Sequence, residues 1–146
     1  MKIIIGSDHR GFELKEYLKN ALSIQYKIQD VGSFSEESVD YPDVSTKLAN
    51  LLIDDLNNTL GIIICGSGNG VCIAVNKFSF VRGALIYNSD VASSAKKHNN
   101  ANVLCLSSDN TSKQEALSYI NIFLNSVFDG GRHQIRIDKL ANIKNN

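Results

Sequence analysis

Short apolar runs alternate with amphipathic stretches along most of this chain. Apolar runs of four to seven residues are typical of strands in a parallel sheet, and apolar positions three or four residues apart are typical of helices. The pattern predicts five strands, at residues 2–7, 26–31, 62–65, 81–87 and 103–106. Stretches with helical spacing separate and follow them, at Leu14–Leu22, Val44–Leu52, Val71–Val75, Ala92–Ala95 and Ala116–Val127. We therefore expect a single α/β domain over residues 1–146, built on a parallel sheet.

The last part of the chain begins at two consecutive glycines. Gly130–Gly131 interrupts the pattern, and residues 132–145 predict one more helix with basic residues near its start. Because this helix follows the elements that complete the sheet, we expect it to pack on a partner subunit. A capping box, formed either by Thr111 with Gln114 or by Ser112 with Glu115, is expected to start the helix before it.

Composition argues against several classes of partner. Fifteen basic and fifteen acidic residues give a net charge of zero, so no overall field favours nucleic acid or an anionic membrane. The first residues, MKIIIGSDHRG, have too short an apolar run for a signal peptide, and no apolar stretch reaches the ~18–20 residues of a membrane span. Three cysteines, all in apolar runs, predict reduced thiols and a cytoplasmic location. Without CxxC or HxxxH spacing, no metal site is expected.

The stretch from Gly61 to Lys77, GIIICGSGNGVCIAVNK, carries the strongest signal for a site. It is predicted to form a strand, a glycine turn and a helix, so that the turn presents backbone N–H groups to an anion or a developing oxyanion. Cys65 stands where the strand meets the turn, and that field would favour its thiolate form. Taken alone, such a cysteine is more often a buried apolar residue. Ligands of parallel sheets bind at the carboxyl ends of strands, however, which favours a site here.

Nucleotide binding is not expected at either glycine turn. The first turn, GSDHRGF, has the glycine spacing of a P-loop but carries Phe12 and Glu13 where lysine and serine or threonine are required. It also lacks the GxGxxG pattern, although Asp30 lies near the position of a ribose-binding acid, and Asp8 would repel a pyrophosphate. The turn GSGNG matches neither pattern, so no cofactor is expected.

Polar residues that could take part in catalysis follow the first strand and the helix after strand four. Asp8 and His9 end the first strand, and their turn should meet that of Cys65 because strands one and three are neighbours in a doubly wound sheet. His98 and Asn99 end the helix after strand four. Each also has an ordinary structural interpretation: Asp8 as a helix N-cap, His9 as a surface histidine and His98 as a residue favoured by the helix dipole.

The tail adds two arginines four residues apart. Arg132 and Arg136 share a helix face and could hold one phosphate, although a solvated basic face is the simpler interpretation. A thiolate base, an oxyanion-binding turn, an imidazole and a phosphate clamp suit proton transfer beside a carbonyl of a phosphorylated sugar. They suit acyl transfer by a cysteine nucleophile equally well, and sequence spacing does not separate the two reactions.

Five blocks of the sequence, in order over nearly the whole chain, carry a family likeness: GSDHRGF, DYPD, CGSGNGVCIAVNK, KHNNANVL and GGRHQIR. Together they resemble the ribose-5-phosphate isomerase type B family. The resemblance implies a Rossmann-like, three-layer αβα fold with a five-stranded parallel sheet. It also implies a homodimer, or a dimer of dimers, that needs neither metal nor cofactor. The implied activity is that of an aldose–ketose isomerase of the pentose phosphate pathway, which interconverts ribose 5-phosphate and ribulose 5-phosphate.

The resemblance implies that the catalytic base is a thiol. Cys65 would move the C2 proton, and His98 would open the furanose ring. Backbone N–H groups of the glycine turn would bind the enediolate oxygen, with help from the Ser67 side chain; the turn consists of Gly66, Ser67, Gly68, Asn69 and Gly70. Relatives that lack the cysteine carry a glutamate where this chain has Val71, so the chain is similar to the cysteine branch.

The remaining matches imply substrate contacts. Asp8 and Asn99 would contact hydroxyl groups, and His9, Arg132 and Arg136 would hold the phosphate. In heteromeric galactose 6-phosphate isomerases of the family, the cysteine loop and the histidine and arginine blocks are divided between two kinds of subunit. Here one chain carries all of them, which favours a self-sufficient homomer.

One block departs from the family pattern. After strand five this chain has LCLSSDN, with Ser107 and Asp109, where relatives have glycine and an arginine that contacts substrate. We therefore expect phosphate affinity or sugar preference to differ. An isomerase of hexose 6-phosphates and a non-catalytic sugar-phosphate binding protein are the alternatives. The presence of both Cys65 and His98 argues against the second.

Overall fold

The computed structural model describes residues 1–143 and confirms the predicted parallel α/β fold. The strands are β1 Lys2–Ser7, β2 Lys27–Asp30, β3 Thr59–Cys65, β4 Gly83–Leu85 and β5 Val103–Ser107. All of their pairings are parallel, and the sheet has the order β2-β1-β3-β5-β4. The helices are α1 Phe12–Leu22, α2 Tyr41–Leu52, α3 Asn69–Val75, α4 Ser89–Lys97, α5 Lys113–Asn125 and α6 Arg132–Ala141, with a 3₁₀ turn at Ile53–Asp55.

Apolar side chains cover both faces of the sheet, and helices cover those side chains. On one face, residues such as Ile3 and Ile62 pack against α1, α4 and α5. On the other face, residues such as Ile4 and Ile63 pack against α2 and α3. Successive residues of a strand therefore enter opposite cores, which explains why the middle strands are apolar throughout. The result is the three-layer αβα arrangement.

The sheet order decides which turns can meet. Ser7 of β1 pairs with Ile64 of β3, and Cys65 of β3 pairs with Ser107 of β5. The turns that follow β1, β3 and β5 therefore lie together at the carboxyl edge of the sheet. Helix α4 runs back from the carboxyl end of β4, so its last residues lie at the opposite, amino edge, close to where β5 begins.

Two strands are shorter than predicted. The strand predicted at residues 26–31 ends at Asp30, because the Asp30 carboxylate accepts the N–H of Gly32 over 3.0 Å and Gly32 turns the chain with a φ of 103°. The strand predicted at residues 81–87 pairs only over Gly83–Leu85. Just before it, the side chain of Asn102 accepts the N–H of Arg82 over 2.7 Å, so the ladder starts later than the apolar run.

The C-terminal half differs from prediction at its helix ends. Of the two possible capping boxes, Ser112 with Glu115 starts α5, which ends at Asn125. The helix predicted at residues 132–145 ends at Ala141, and residues 144 and 145 of that prediction lie outside the described residues. In the described part of the chain, no helix is both long and apolar enough to cross a bilayer.

Candidate active site

Cys65 ends β3 and lies beneath the glycine turn. Its side chain is only 5% exposed and faces the core that α2 and α3 cover. The backbone N–H of Gly68 donates a hydrogen bond of 3.2 Å to its Sγ atom. The positive end of a backbone dipole therefore lies against the sulfur, where the charge of a thiolate would be.

The glycine turn needs at least one of its glycines for its shape. Gly68 has a φ of 79°, and a Cβ atom there would lie 2.5 Å from Cδ1 of Leu85 and 3.1 Å from the carbonyl carbon of Leu106. Among the residues that the structure describes, the N–H groups of Gly66, Ser67 and Gly70 have no hydrogen-bond acceptor. The turn therefore has three free donors close to a buried thiol, as an oxyanion-binding loop requires.

The turn after β5 holds the start of the glycine turn by its carbonyl groups. The Cys65 carbonyl accepts hydrogen bonds from the N–H of Ser108 over 3.0 Å and from its Oγ over 3.2 Å. The Gly66 carbonyl accepts one from the N–H of Asp109 over 3.0 Å and one from Oγ of Ser107 over 2.7 Å. Because C=O and N–H point in opposite directions across a trans peptide, these bonds also turn the N–H groups of Gly66 and Ser67 away from β5.

The turn after β1 lies beside the glycine turn, as predicted. Asp8 donates its N–H to the carbonyl of Ile64 over 3.0 Å. Its Oδ1 atom accepts the N–H groups of Arg10 and Gly11 over 3.0 and 3.1 Å, so the carboxylate fastens the start of α1 and only Oδ2 is left for a substrate hydroxyl. Nδ1 of His9 accepts the N–H of Val39 over 3.3 Å, which leaves Nε2 as the nitrogen available to a ligand.

Two side chains over the glycine turn were not predicted. The Arg10 guanidinium lies over Gly66 and forms an ion pair with Asp109. The Tyr41 ring lies over Gly70, where an added Cβ would come within 3.0–3.2 Å of three ring atoms. Both residues belong to blocks that carry the family likeness, GSDHRGF and DYPD, but only the fold shows that they face the turn.

His98 and Asn99 lie at the amino edge, away from Cys65. His98 caps the C-terminus of α4, donating its N–H to the Ser94 carbonyl over 2.8 Å. Four residue steps of β5 separate its two ends, which is about 13 Å at ~3.3 Å per residue. A five-carbon sugar phosphate spans only about 7 Å from its reacting carbons to its phosphorus, with single bonds of ~1.5 Å. One chain alone therefore does not bring Cys65 and His98 to the same substrate.

The arginines of the tail join His98 at this edge. Arg132 and Arg136 lie on the first turns of α6 and are exposed. Between them His133 stacks on His98, with ring centroids 4.6 Å apart and an interplanar angle of 12°. The N–H of Asp129 donates to the Lys97 carbonyl over 3.0 Å, which fastens the start of the tail to the end of α4.

Arg82 holds the backbone around Asn99 by hydrogen bonds and was not predicted from the sequence. Its Nε and Nη2 atoms donate to the Asn100 carbonyl over 3.0 and 2.9 Å, and Nε also lies 3.2 Å from the Asn99 carbonyl. Asn100 has a φ of 42°, a conformation that asparagine tolerates better than most residues. Burial lowers the pKa of Arg82 from its ordinary value, because the charged form loses hydration.

The cluster at the amino edge is electropositive. Desolvation lowers the pKa of His133 from its ordinary value of 6.5, and the positive charges of His98, Arg132 and Arg136 lower it further. The neighbouring Asp129 acts in the opposite direction. An anion such as a phosphate is favoured at this cluster, and the neutral form of His133 is favoured in the absence of one.

One group of possible metal ligands is present despite the absence of HxxxH spacing. Ligand atoms of His98, Asp129 and His133 lie within 4.8 Å of one another. The two imidazoles are stacked almost in parallel, however, and a metal ion must lie near the plane of each ring that binds it. No point within bonding distance of both rings lies in both ring planes, so the observed arrangement fits an anion better than a metal.

The predicted site residues therefore form two groups. The first, at the carboxyl edge, contains Asp8, His9, Cys65, Gly66, Ser67, Gly68, Asn69 and Gly70. The second, at the amino edge, contains His98, Asn99, Arg132 and Arg136. We refer to the first as the Cys65 group and to the second as the imidazole–arginine group.

Comparison with known proteins identifies the family. A family model described as Ribose/Galactose Isomerase matches residues 3–140. The ribose-5-P isomerase B of Listeria innocua is 37% identical, over 98% of this chain and 97% of its own length. The structure of a ribose 5-phosphate isomerase from Thermotoga maritima superimposes with a TM-score of 0.93 at 42% identity, covering 97% of this chain and 98% of that one.

A structure of ribose-5-phosphate isomerase B from Mycoplasma genitalium contains bound ribulose-5-phosphate. It is similar to this chain with a TM-score of 0.92 at 41% identity, over 96% of this chain and 93% of that one. Family model, relatives and solved structures all cover nearly the whole chain. The chain therefore belongs to the ribose/galactose isomerase family and is an isomerase.

Proposed function

We propose that the chain interconverts ribose 5-phosphate and ribulose 5-phosphate in the pentose phosphate pathway, with Cys65 as the catalytic base. The family and the ribulose-5-phosphate bound in the Mycoplasma genitalium relative support the substrate. The observation that carries the role of Cys65 is its buried sulfur, which accepts the Gly68 N–H beside three backbone donors without partners among residues 1–143. A thiolate base and an oxyanion-binding loop are the two groups that enolisation requires.

The reaction follows from this arrangement. The Cys65 thiolate takes the proton from C2 of the open aldose, and the electron pair of that C–H bond forms a C1–C2 double bond while O1 becomes negative. The free N–H groups of the glycine turn stabilise that oxygen. The Ser67 Oγ atom accepts the N–H of Asn69 over 3.2 Å, which leaves its O–H free to donate to the same oxygen. A proton then passes from O2 to O1, the thiol returns its proton to C1, and a ketone remains at C2.

The second half of the site comes from a second copy of the chain. The imidazole–arginine group is too far from Cys65 within one chain. A two-fold dimer would place the imidazole–arginine group of each copy over the Cys65 group of the other, giving two equal sites. Exposed apolar side chains near both groups support burial against another copy: Ile73 near the glycine turn, and Ile135 and Leu140 on α6 are all more than half exposed. A dimer of dimers would keep the same shared sites.

The imidazole–arginine group prepares and holds the substrate. His98 acts as the acid and base that open the furanose ring, and Asn99, with Asp8, contacts hydroxyl groups. Arg132 and Arg136 grip the phosphate together with Nε2 of His9 from the other copy. Their positive charges and exposed guanidinium donors fit a dianion. His98 and Arg132 therefore act on a substrate whose C2 proton is taken by the partner's Cys65.

The same proposal covers the setting of the enzyme. All three cysteines are free, and Cys65 and Cys105 are buried. A catalytic thiol that must stay reduced suits the cytoplasm. We regard residues 1–146 as one domain, because one sheet and its two apolar cores include every strand of the described chain.

The test is to incubate the protein with the 5-phosphate of ribose and with the 6-phosphates of allose and galactose, and to measure each ketose. We expect the largest kcat/KM with ribose 5-phosphate. Cys65→Ala should lower kcat at least about 10²–10⁴-fold, the contribution of a positioned base. Cys72→Ala is the matched control, because Cys72 is only partly buried and its thiol contacts the Gly83 carbonyl over 3.7 Å rather than the turn. Retained turnover in folded Cys65→Ala would contradict the role of Cys65, and a preference for a hexose phosphate would contradict the substrate.

A further inference from the structure

We infer that Arg10 and Asp109 form a strap across Gly66 that positions the glycine turn for catalysis, an inference that rests on the proposed function of that turn. Asp109 stands where the family likeness predicts an arginine. The structure gives it a specific partner: its carboxylate forms an ion pair with the guanidinium of Arg10, from the turn after β1. The pair therefore joins the turns after β1 and β5 over the turn that lies between them.

The guanidinium is in direct contact with the turn. A Cβ atom added to Gly66 would lie 2.5 Å from Cζ, 2.6 Å from Nη1 and 2.7 Å from Nε of Arg10. Three guanidinium atoms at nearly equal distances mean that the face of the planar group, rather than one edge, covers the side-chain position of Gly66. A planar, delocalised cation can cover this position with its face, and the compact ammonium of a lysine cannot.

The opposite side of Gly66 is held by the turn after β5. Its carbonyl accepts hydrogen bonds from Asp109 N–H and Ser107 Oγ over 3.0 and 2.7 Å. Asp109 thus acts twice, once through its backbone on the Gly66 carbonyl and once through its side chain on Arg10. Gly66 is clamped between the two, and the direction of the following N–H groups is fixed with it.

Stability alone does not account for this pair. Both side chains are substantially exposed, at 57% and 42%, and exposed ion pairs contribute only about 0–1 kcal/mol to folding. The effect of the strap therefore lies in the orientation of the donors that face the enediolate. Misdirected donors weaken the transition state more than the ground state, so the loss appears in kcat rather than in KM. Arg10 and Asp109 are positioning residues that act through Gly66.

The test is a double-mutant cycle in the full-length enzyme. We expect Arg10→Ala and Asp109→Asn each to lower kcat about tenfold and to change KM less than about twofold. The double variant should lose no more than either single variant, because each change already breaks the strap. Arg10→Lys should recover part of kcat, since it keeps the ion pair but not the planar contact. Glu13→Gln is the matched control: Glu13 and Lys113 form another exposed ion pair, between α1 and α5, and kcat should stay unchanged.

A second readout does not depend on activity. Amide hydrogen exchange of residues 66–70 should quicken in Arg10→Ala and Asp109→Asn and stay unchanged in Glu13→Gln, because only the first two release the turn. Additive losses of kcat, or a rise in KM at constant kcat, would overturn the strap, the latter by making Arg10 a substrate contact. Unchanged kcat and exchange in all variants would also overturn it. If the wild type converts none of the sugar phosphates, the proposed function fails instead, and exchange still decides whether the strap holds the turn.

Discussion

The Cys65 group and the imidazole–arginine group are built in different ways. At the carboxyl edge, three buried strands end together, and backbone hydrogen bonds set the position of Cys65 and the glycine turn. At the amino edge, His98, Arg132 and Arg136 project from helix ends as exposed side chains. A ring stack between His98 and His133 and a hydrogen bond from Asp129 to Lys97 join the two helices there.

Under the proposed function, this difference divides the work of one site between the two groups. The group that moves a proton is fixed by the sheet, because the base and the oxyanion donors must be placed within fractions of an ångström. The group that recognises the phosphate can be less rigid, because two long cations adjust to a dianion. Changes at the carboxyl edge should therefore reduce the rate most, and changes at the amino edge should act on ring opening and on binding.

After the loss of the Cys65 thiol itself, the largest effect is expected from Gly68→Ala. A φ of 79° and a Cβ atom 2.5 Å from Leu85 should cost about 2–5 kcal/mol of unfolding free energy. Distortion of the turn should misdirect the free N–H groups of Gly66, Ser67 and Gly70 and lower kcat about 10²–10³-fold, the usual cost of losing an oxyanion donor. Chemical denaturation and initial rates measure the two losses.

Gly130→Ala is the control for this prediction. Gly130 also has a positive φ, of 65°, but a Cβ atom there would meet nothing within 4 Å. Only the left-handed strain of about 1–2 kcal/mol is expected, with kcat changed less than about threefold. Equal losses of kcat in the two variants would mean that the glycine turn has no special part in catalysis.

The next effect separates ring opening from enolisation. His98→Asn should slow the conversion of ribose 5-phosphate about 10²-fold, because most of that substrate is cyclic and must be opened by acid–base catalysis. Ribulose 5-phosphate cannot form a furanose ring, so the reverse reaction should lose much less. Initial rates at saturating substrate in both directions test this, because the equilibrium constant fixes only the ratio of the two kcat/KM values. Equal losses of kcat would assign His98 to the proton transfer itself.

A smaller effect is expected where Arg82 supports the turn that carries Asn99. Arg82→Lys keeps the charge but loses the planar pair of donors, Nε and Nη2, that meets the Asn100 carbonyl. We expect a loss of kcat/KM of about tenfold, at unchanged affinity of the glycine turn for its enediolate. Lys77→Arg, an exposed change nearby, is the control. No change in Arg82→Lys would mean that the turn is held by its own backbone.

The smallest effect concerns pH. The pKa of His133 is lowered from 6.5 in the folded chain, so below about pH 6.5 the unfolded chain binds a proton that the folded chain does not. Stability should therefore fall slightly as pH drops through that value, and level off below the folded pKa. His133→Asn should remove this part of the dependence. Thermal unfolding of both proteins at pH 5 and pH 7.5 measures it, and an identical pH dependence would contradict the lowered pKa.

The sequence was most informative where local pattern and sheet order suffice. The Cys65 group was predicted from the apolar run Ile62–Ile64, its glycine turn and the neighbouring Asp8 turn. Parallel strands place their carboxyl ends together, so these turns were expected to meet. The same reasoning did not reach Arg10 or Tyr41, since which side chain faces a turn depends on packing that no periodicity encodes. The polar run Ser107–Asp109, which follows a buried strand, could be recognised in the sequence. Its partner across the glycine turn, Arg10, could not.

The amino edge was harder to predict for a different reason. His98 and Arg132 were candidates from their positions in the sequence, and the resemblance implied their roles. Their stacking neighbour His133 and the support from Arg82 depend on contacts between distant parts of the chain. Their separation from Cys65 follows only from the direction in which α4 runs. If two copies share the site, as we propose, the order of elements in one chain is not enough to assemble it.

The central claim, that each site joins Cys65 of one copy to Arg132 of another, is tested most directly by mixing two inactive variants. Cys65→Ala and Arg132→Ala are combined in equal amounts under conditions that exchange subunits, with exchange followed by native mass spectrometry. Each mixed dimer then contains one site with both residues intact, so activity should return to about a quarter of the wild-type value in a two-fold dimer. If mixed dimers form and activity does not return, both residues serve the same chain's site and the shared site is wrong.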